Sequence, residues 1–145
     1  MKHVLITLTL AAAFTLKSFA GNNTVNYMAE QHFTAAFKGA TNVEWKVNAD
    51  YVKAIFIYDG QKQEAFYDLN GKAIGTTKAV TVERLPENGL QTINKKYRNY
   101  KLVEAIEFNN DDETAYFVTV DSDTKTLILK ISETGAVTTV KNIIK

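Results

Sequence analysis

The sequence predicts an α+β domain made of two tandem repeats, each a helix followed by a four-stranded antiparallel meander, with both helices packed on one face of the sheet. Three observations indicate this arrangement. The spacing of apolar residues changes from the three-and-four pattern of a helix to the alternation of strands, and does so twice. Glycine-containing turn dipeptides separate the alternating runs. The pair Leu85-Pro86 restarts the helical pattern in the middle of the chain.

The first unit covers about residues 26–82 and begins with a predicted helix from Asn26 to Lys38. One face of this helix carries an apolar stripe, and Gly39 is a typical stop signal after it. The stripe consists of Ala29, Phe33, Ala36 and Phe37.

Alternating apolar residues then predict four strands. The first two runs contain Val43, Trp45 and Val47, followed by Val52, Ala54, Phe56 and Tyr58. Asp59-Gly60 precedes a third run, Glu64 to Tyr67, and Asn70-Gly71 precedes a weaker fourth run that reaches about Val82. Both dipeptides tolerate positive φ and therefore predict tight hairpins.

The second unit covers about residues 85–144. Proline is favoured in the first turn of a helix, where its missing N–H costs nothing, so Leu85-Pro86 predicts a helix start. The apolar stripe of this helix is Leu90, Ile93, Tyr97 and Tyr100. Four alternating runs follow, and their turns fall at 109–113, 121–124 and 133–135.

The two units match at a nearly constant offset. Phe37 and Tyr97 lie 60 residues apart, the runs that begin at Ala54 and Ala115 lie 61 apart, and Asn70-Gly71 lies 64 before Thr134-Gly135. Agreement of helix, strand and turn in one order predicts an internal repeat. Because a unit of this size would be marginally stable alone, we expect the two to share one sheet and one core.

The N-terminal segment has the pattern of a secretory signal peptide over residues 1–20. Lys2 precedes an apolar run from Val4 to Leu16, and the small residues Ser18 and Ala20 predict cleavage after Ala20. The alternative is a membrane anchor, but the apolar run is shorter than the roughly 20 residues that span a bilayer. The mature chain, residues 21–145, is predicted to be a single periplasmic or secreted domain without a membrane span.

Composition excludes several functions. The chain has no cysteine, which excludes thiolate nucleophiles, iron–sulfur clusters and a lipid-modified N-terminal cysteine. Its 17 basic and 16 acidic residues give a formal net charge of +1, which argues against a nucleic-acid partner. The 125-residue mature chain must hold together through its apolar core alone.

Alternation along the strands also predicts which side chains face the helices. The helix-facing set is expected to be Ala54, Phe56, Ala65, Tyr67, Ala115, Phe117, Leu129 and Ile131. Six apolar residues would then point the other way: Ile55, Ile57, Phe66, Tyr116, Val118 and Ile128. Contiguous apolar surface often binds a partner, so these six are the candidate partner-binding residues. The alternatives are that loops or the N-terminal segment cover them, or that the two faces are reversed.

The arrangement resembles the secreted bacterial proteins of the PepSY-like and beta-lactamase-inhibitor-protein-like group. The resembling residues are Asn42-Val43-Glu44-Trp45, Ala54-Ile55-Phe56, Tyr67-Asp68-Leu69-Asn70-Gly71-Lys72, and Leu85-Pro86 before a helix that ends near Tyr97. The resemblance covers essentially the whole mature chain and implies two tandem repeats, an extracytoplasmic location and no enzymatic activity.

The inhibitor of this group grips its target enzyme with a concave, aromatic sheet surface, and related domains in peptidase propeptides are thought to restrain peptidases. The present chain departs from that inhibitor because it has no cysteine, where the inhibitor has disulfides. The inhibitor's contact residues do not map onto positions here. The resemblance therefore implies a binding protein without implying a lactamase as its target.

No arrangement typical of catalysis or cofactor binding is present in the sequence, so no catalytic, cofactor or metal site is predicted. His32, the histidine of the mature chain, has no surrounding catalytic or metal-binding motif. Gly71 and Gly75 lie in a predicted hairpin and do not open a helix, as a phosphate-binding loop would.

Acidic turns leave one alternative open. Asp111-Asp112-Glu113 and the pair Asp121 and Asp123 carry the oxygen donors that calcium prefers, but neither has the spacing of a known calcium loop. The sequence therefore predicts an exported, non-enzymatic, inhibitor-like binding protein that holds a protein or peptide partner on its sheet. The alternative is an extracytoplasmic sensor of calcium or a small ligand.

Overall fold

The structure, a computed structural model, describes residues 24–145 and consists of one antiparallel sheet with two α-helices. The predicted signal peptide lies outside the described residues. The first elements are α1 (Tyr27–Ala36), β1 (Thr41–Val47), β2 (Val52–Tyr58), β3 (Gln61–Tyr67) and β4 (Ala73–Ala79). A 3₁₀ turn (Val82–Arg84) leads to α2 (Glu87–Lys96), β5 (Lys101–Asn109), β6 (Thr114–Asp121), β7 (Lys125–Ser132) and β8 (Val137–Ile144).

The sheet has eight strands in the described chain, and their spatial order is their order in sequence, β1 to β8. Every neighbouring pair is antiparallel. This is the predicted α+β class. Neither helix of residues 24–145 is long and apolar enough to span a membrane.

The start of α1 is fixed by a side-chain cap. The Asn26 Oδ1 accepts a hydrogen bond from the Met28 backbone N–H at 2.8 Å, which satisfies a donor that the first helical turn leaves free. The helix buries Ala29 and Phe33 against β2 and β3. The ring centroids of Phe33 and Phe56 lie 4.8 Å apart in a T-shaped contact. Apolar burial of these side chains holds α1 on the sheet.

The second helix packs on the same face and forms the larger of two apolar clusters. It begins after Pro86 and buries Gly89 and Ile93. A Cβ at Gly89 would lie 2.5 Å from Ile131 Cγ2, so glycine lets the helix approach β7 closely. The buried members of this cluster are Leu85, Ile93, Ala105, Val118, Val120, Leu127, Leu129 and Ile131.

A glycine in each half brings a hairpin tip against the first turn of a helix. Gly71 has φ +85° and Gly135 has φ +88°, a region that favours glycine. A Cβ would lie 2.6 Å from Met28 Cβ at Gly71 and 2.8 Å from Asn88 Cβ at Gly135. Both positions therefore require glycine for the backbone conformation and for the space.

The structure corrects the predicted orientation of β6. Tyr116 and Val118 were expected to point away from the helices, but Val118 is fully buried in the α2 cluster and Tyr116 packs against it. Val118 pairs with Leu129 and Tyr116 pairs with Ile131, and directly paired residues share one face of an antiparallel sheet. Ala115 and Phe117, which were expected to face the helices, lie on the opposite face.

The orientation of β6 was predicted wrongly because the two halves were matched at the wrong offset in sequence. The pairs Val52↔Tyr67 and Tyr116↔Ile131 are separated by 64 positions, whereas the runs that begin at Ala54 and Ala115 were matched at 61. An odd difference of three moves every side chain of a strand to the other face. The extra residues lie in the β5–β6 hairpin, since Trp45↔Ala54 enclose eight residues and Ala105↔Val118 enclose twelve.

Candidate partner-binding surface

The face of the sheet opposite both helices, called here the helix-free face, is defined by strand register. Ile55 and Ile57 on β2, Phe66 on β3 and Ile128 on β7 lie on it, as the sequence predicts. Three further apolar residues, Ile106, Phe108 and Phe117, belong to the same face. Ala115, which pairs with Phe108, and Ile143, which pairs with Thr126, lie on this face as well. The geometry of this face brings together four of the six candidate residues and places Tyr116 and Val118 in the core instead.

The three additional residues could have been found from the turn signals. Gly71 and Gly135 mark equivalent hairpins 64 residues apart, and the same offset applied to β2 places Val118 against Ala54. Phe117 then faces away from the helices. Because Phe117 pairs with Ile106, and Phe108 pairs with Ala115, the assignment extends to β5.

Two pairs of aromatic rings lie on the helix-free face. The ring centroids of Tyr51 and Phe66 lie 5.6 Å apart, and those of Phe108 and Phe117 lie 6.3 Å apart at an interplanar angle of 86°. The Phe108 ring lies over Gly75, where a Cβ would be 2.5 Å from its Cε2 atom. A glycine on β4 thus makes room for an aromatic side chain from β5.

Side chains of this face are partly covered by one another. Of the predicted partner-binding residues on this face, Ile128 is only 7% exposed and Phe66 only 4% exposed, so both are buried. The Lys53 Nζ lies 5.8 Å from the Phe66 ring centroid and is also 3.2 Å from Glu64 Oε1. By contrast, Ile55, Ile57, Ile106, Phe108 and Phe117 are half-buried. The latter group is therefore the accessible part of the apolar surface.

Glu104 is an acidic residue of the same face with a different environment. It lies directly opposite Thr119 on β6, and no ion pair to it occurs within residues 24–145. Burial raises the pKa of the Glu104 carboxyl, and the negative charge of Glu64 raises it further. Two effects therefore disfavour its charged form.

The opposite face, between the two helices, carries a buried carboxylate that joins β4 to β5. Glu107 is 4% exposed. Its carboxylate oxygens lie 3.3 Å from Lys78 Nζ, 3.4 Å from Arg84 Nη2 and 2.7 Å from Asn109 Nδ2. Burial raises the pKa of Glu107, but the hydrogen bonds from Asn109 and Lys78, with the charge of Lys78, lower it overall. The group is a satisfied structural ion pair.

Three polar residues singled out by the sequence, His32, Glu113 and Asp121, have structural partners. The His32 Nδ1 lies 2.8 Å from the Gly71 carbonyl oxygen, to which it donates. Lys130 pairs with Glu113 at 2.9 Å and Lys145 pairs with Asp121 at 2.9 Å. Hydrogen bonds from Thr126 and Lys145 lower the pKa of Asp121. Within the described range, no group of three or more His, Asp or Glu side chains is placed to hold a metal ion.

Comparison with known proteins identifies the fold. No protein-family model and no curated protein matches the chain. Among solved structures, a BLIP-like protein from Bacteroides fragilis has a TM-score of 0.73 at 22% identity, covering 86% of this chain and 91% of that chain. A DUF2874 family protein from Bacteroides uniformis has a TM-score of 0.72 at 12% identity, covering 83% and 90%.

A third solved structure, from Bacteroides eggerthii and described by its name as a candidate periplasmic protein, has a TM-score of 0.72 at 8% identity. It covers 84% of this chain and 90% of that chain. These similarities confirm the expected BLIP-like fold. The relation to PepSY proteins stays a prediction.

Proposed function

We propose that this protein is an exported, non-enzymatic binding protein that holds a protein or peptide partner on the helix-free face of its sheet. The observation that carries the proposal is the accessible apolar surface of Ile55, Ile57, Ile106, Phe108 and Phe117, on the face away from both helices. These side chains form two apolar groups, Ile55 with Ile57 and Ile106 with Phe108 and Phe117, and the register places Glu64 and Thr77 between them. Accessible apolar groups rimmed by polar residues are typical of an interaction site, and half-buried aromatic residues are common anchors.

The start of the described chain lies on the helix-bearing face and not on the proposed binding surface. Val25 packs against the α1 cluster on this face.

The signal-peptide pattern of residues 1–20 supports a periplasmic or secreted location, as does the name of the Bacteroides eggerthii neighbour, which describes it as periplasmic. Partner binding and location are both parts of the proposal.

We also infer that the two halves are copies of one unit. The Gly71 and Gly135 turns contact the starts of α1 and α2 in the same way. Register irregularities occur next to Glu44 in β1 and next to Glu104 in β5, 60 residues later. The four additional residues of the β5–β6 hairpin are the main difference between the halves.

The proposal is tested by capture from the extracytoplasmic proteins of the native host, with the tagged protein in the form that the cell produces. The face variant is Ile57→Asp with Phe117→Asp. The matched control is Leu69→Asp with Val82→Asp, since these apolar side chains are 50% and 37% exposed and lie in the β3–β4 turn and the 3₁₀ turn, outside the sheet. Melting temperatures and circular dichroism spectra establish that each variant folds.

We expect the parent and the control to retain one partner that the folded face variant loses. A measured loss of that partner's activity on binding would identify an inhibitor. Retention by the face variant, or equal loss in the control, would contradict binding through this face. If no protein is retained and calcium raises the melting temperature, the sensor alternative replaces the proposal, because a ligand of the folded state stabilises it.

A further inference from the structure

We propose that the two Asn-Gly dipeptides of the chain, Asn70-Gly71 and Asn88-Gly89, are sites of spontaneous deamidation that the folded protein protects from reaction. Each is protected by the contact between a hairpin tip and the first turn of a helix. Deamidation is therefore expected only when that contact opens, and it opens separately in each half of the molecule. The reaction belongs to the backbone and does not depend on what the sheet binds.

The reaction needs only the two residues and water. The glycine nitrogen loses its proton and attacks the asparagine Cγ, the side-chain amide leaves as ammonia, and a five-membered succinimide ring forms. Water then opens either carbonyl of the ring and gives aspartate or isoaspartate. Glycine as the second residue favours the attack, because it has no side chain to crowd the ring. Both asparagine side chains are exposed, so water reaches them.

The turn around Asn70 keeps the reacting atoms apart. The Gly71 N–H donates to the Asp68 carbonyl oxygen at 3.0 Å, and Asn70 has a negative φ, as in a type I turn. Ring closure requires the asparagine Cβ and the glycine nitrogen to eclipse each other about the Cα–C bond. At the ψ of about 0° of this turn position the two atoms lie well apart. The hydrogen-bonded N–H is also harder to deprotonate.

Contacts with α1 hold this turn in place. The Asn26 Nδ2 donates to the Leu69 carbonyl oxygen at 3.2 Å, and the His32 Nδ1 donates to the Gly71 carbonyl oxygen at 2.8 Å. Gly71 is buried, and a Cβ there would lie 2.7 Å from the Ala29 backbone nitrogen. The peptide unit between Asn70 and Gly71 therefore cannot rotate toward the side-chain carbon while the tip stays on the helix.

Asn88-Gly89 lies on the other side of the equivalent contact, since here the dipeptide belongs to the helix and the tip packs on it. Asn88 is in the first turn of α2, and its carbonyl oxygen accepts a hydrogen bond from Thr92 Oγ1 at 2.9 Å. A Cβ at Gly135 would lie 2.8 Å from Asn88 Cβ and 3.1 Å from the Gly89 nitrogen. The helical ψ also prevents the eclipsed arrangement. This second contact must open before the ring can close.

Reaction at Asn70 should prevent the tip from returning to α1. Isoaspartate adds a methylene group to the backbone, beside a glycine that has no room for even a Cβ. The Asp68 carboxylate, which accepts hydrogen bonds from the Asn70 and Lys72 N–H groups at 2.9 Å, would also face a new negative charge. The modified protein should therefore be less stable than the parent.

Deamidation of the purified protein is measured at both dipeptides by peptide mapping and mass spectrometry, in mildly alkaline buffer and in concentrated urea. The variant Asn26→Ala removes the helix cap and the hydrogen bond to Leu69. The control is Gln31→Ala, whose side chain bonds to the Tyr27 hydroxyl on the same helix. Asn88 is the internal reference for global unfolding in every sample.

We expect both dipeptides to react at least about tenfold more slowly in the folded protein than in urea, because the reaction proceeds only through a rare open state. Asn26→Ala should speed the reaction at Asn70 at least about threefold, since losing a helix cap weakens the contact, and should leave Asn88 unchanged. Gln31→Ala should change neither rate. Protein isolated after reaction at Asn70 should have a lower melting temperature.

Four results would contradict the proposal. Equal rates at Asn70 in buffer and in urea would overturn protection by the fold. A parallel rise at both dipeptides in Asn26→Ala would show that reaction follows global unfolding, and would overturn separate opening of the two halves. Absence of aspartate and isoaspartate in urea would overturn the chemistry itself. An unchanged melting temperature after reaction at Asn70 would contradict the need for an intact tip.

Discussion

The ring of Phe108 occupies the space above Gly75, so that a Cβ at Gly75 would lie 2.5 Å from the Phe108 Cε2 and Cζ atoms. This relationship fixes an aromatic side chain of β5 over the neighbouring strand. It also links the shape of the candidate surface to a single glycine on β4.

We therefore expect Gly75→Ala to displace the Phe108 ring and to lower the free energy of unfolding by about 1–3 kcal/mol, the usual cost of overpacking. The double variant with Phe108→Ala should recover part of the loss, although the Asn109 carbonyl oxygen remains 2.8 Å from the new methyl group. Urea denaturation of the four proteins in a double-mutant cycle measures this coupling. Strictly additive losses would contradict the contact.

The glycines that hold the hairpin tips should tolerate substitution much less than a turn glycine in open space. Gly71→Ala and Gly135→Ala would each combine positive φ with a contact under 3.0 Å, and we expect each to cost about 2–4 kcal/mol. Gly60→Ala is the control, since Gly60 has φ +73° and no atom within 4 Å of an added Cβ. Thermal unfolding compares them, and equal losses at all three positions would indicate backbone strain alone.

Val118→Ala tests the corrected orientation of β6. Val118 is fully buried against Leu129 and the α2 cluster, so we expect a loss of about 1–3 kcal/mol in the free energy of unfolding. Phe117→Ala, on the neighbouring position and the opposite face, should mainly affect partner capture. If Phe117→Ala were the more destabilising and left capture unchanged, the assignment of the two faces would be reversed.

Glu104 should reduce stability at neutral pH in the absence of a partner. Its pKa is raised in the folded state above the ordinary value of 4.5, so the folded protein holds the proton more tightly than the unfolded chain does. The free energy of unfolding contributed by this group therefore falls as the pH rises through the folded-state pKa. We expect Glu104→Gln to raise the melting temperature at pH 7 and to have no such effect at pH 3.5.

The control for this measurement is Glu44→Gln, whose carboxylate lies exposed beside Lys46. If both variants were stabilised to a similar extent, the cause would be the removal of a negative charge from the protein as a whole. The surroundings of Glu104, which include Glu64 on the same face, would then not be responsible.

Glu107 should show the opposite pH dependence. Its pKa is lowered overall by hydrogen bonds and charges from Asn109, Lys78 and Arg84, so its stabilising contribution is present above the unfolded pKa and is lost as the pH falls through the folded-state pKa. We expect Glu107→Gln to lower the free energy of unfolding at pH 7 by about 1–3 kcal/mol. Denaturant titrations at pH 7 and pH 3 measure it, and a loss that persists at pH 3 would contradict the ionic contribution.

Local patterns were sufficient to predict the elements and the first half of the sheet. Alternation placed Ala54, Phe56, Ala65 and Tyr67 toward α1, where the structure has them. The helix at Leu85-Pro86 was also predicted, because proline and a regular apolar stripe are local signals. The boundaries differ slightly, since α1 ends at Ala36 and not at Lys38.

The second half of the surface could not be predicted as reliably, because its orientation depends on how many residues a hairpin contains. The identical residues in the runs that begin at Ala54 and Ala115 indicated an offset of 61 between the two halves. The pairing of Val118 with Leu129 corresponds instead to an offset of 64. The isolation of Glu104 is likewise a property of the folded sheet, since lysines elsewhere in the sequence reach Glu44 and Glu64 instead.

The strand order has a consequence for the way this protein assembles. Seven ladders join strands that are neighbours in sequence, and six of them are closed by short turns in the described chain. The seventh, from Thr76↔Asn109 to Ala79↔Ile106, closes only across the 3₁₀ turn and α2. Hairpins with short loops form early, whereas more distant pairings wait for loop closure. We therefore expect the β4–β5 ladder to form after the hairpins on either side of it.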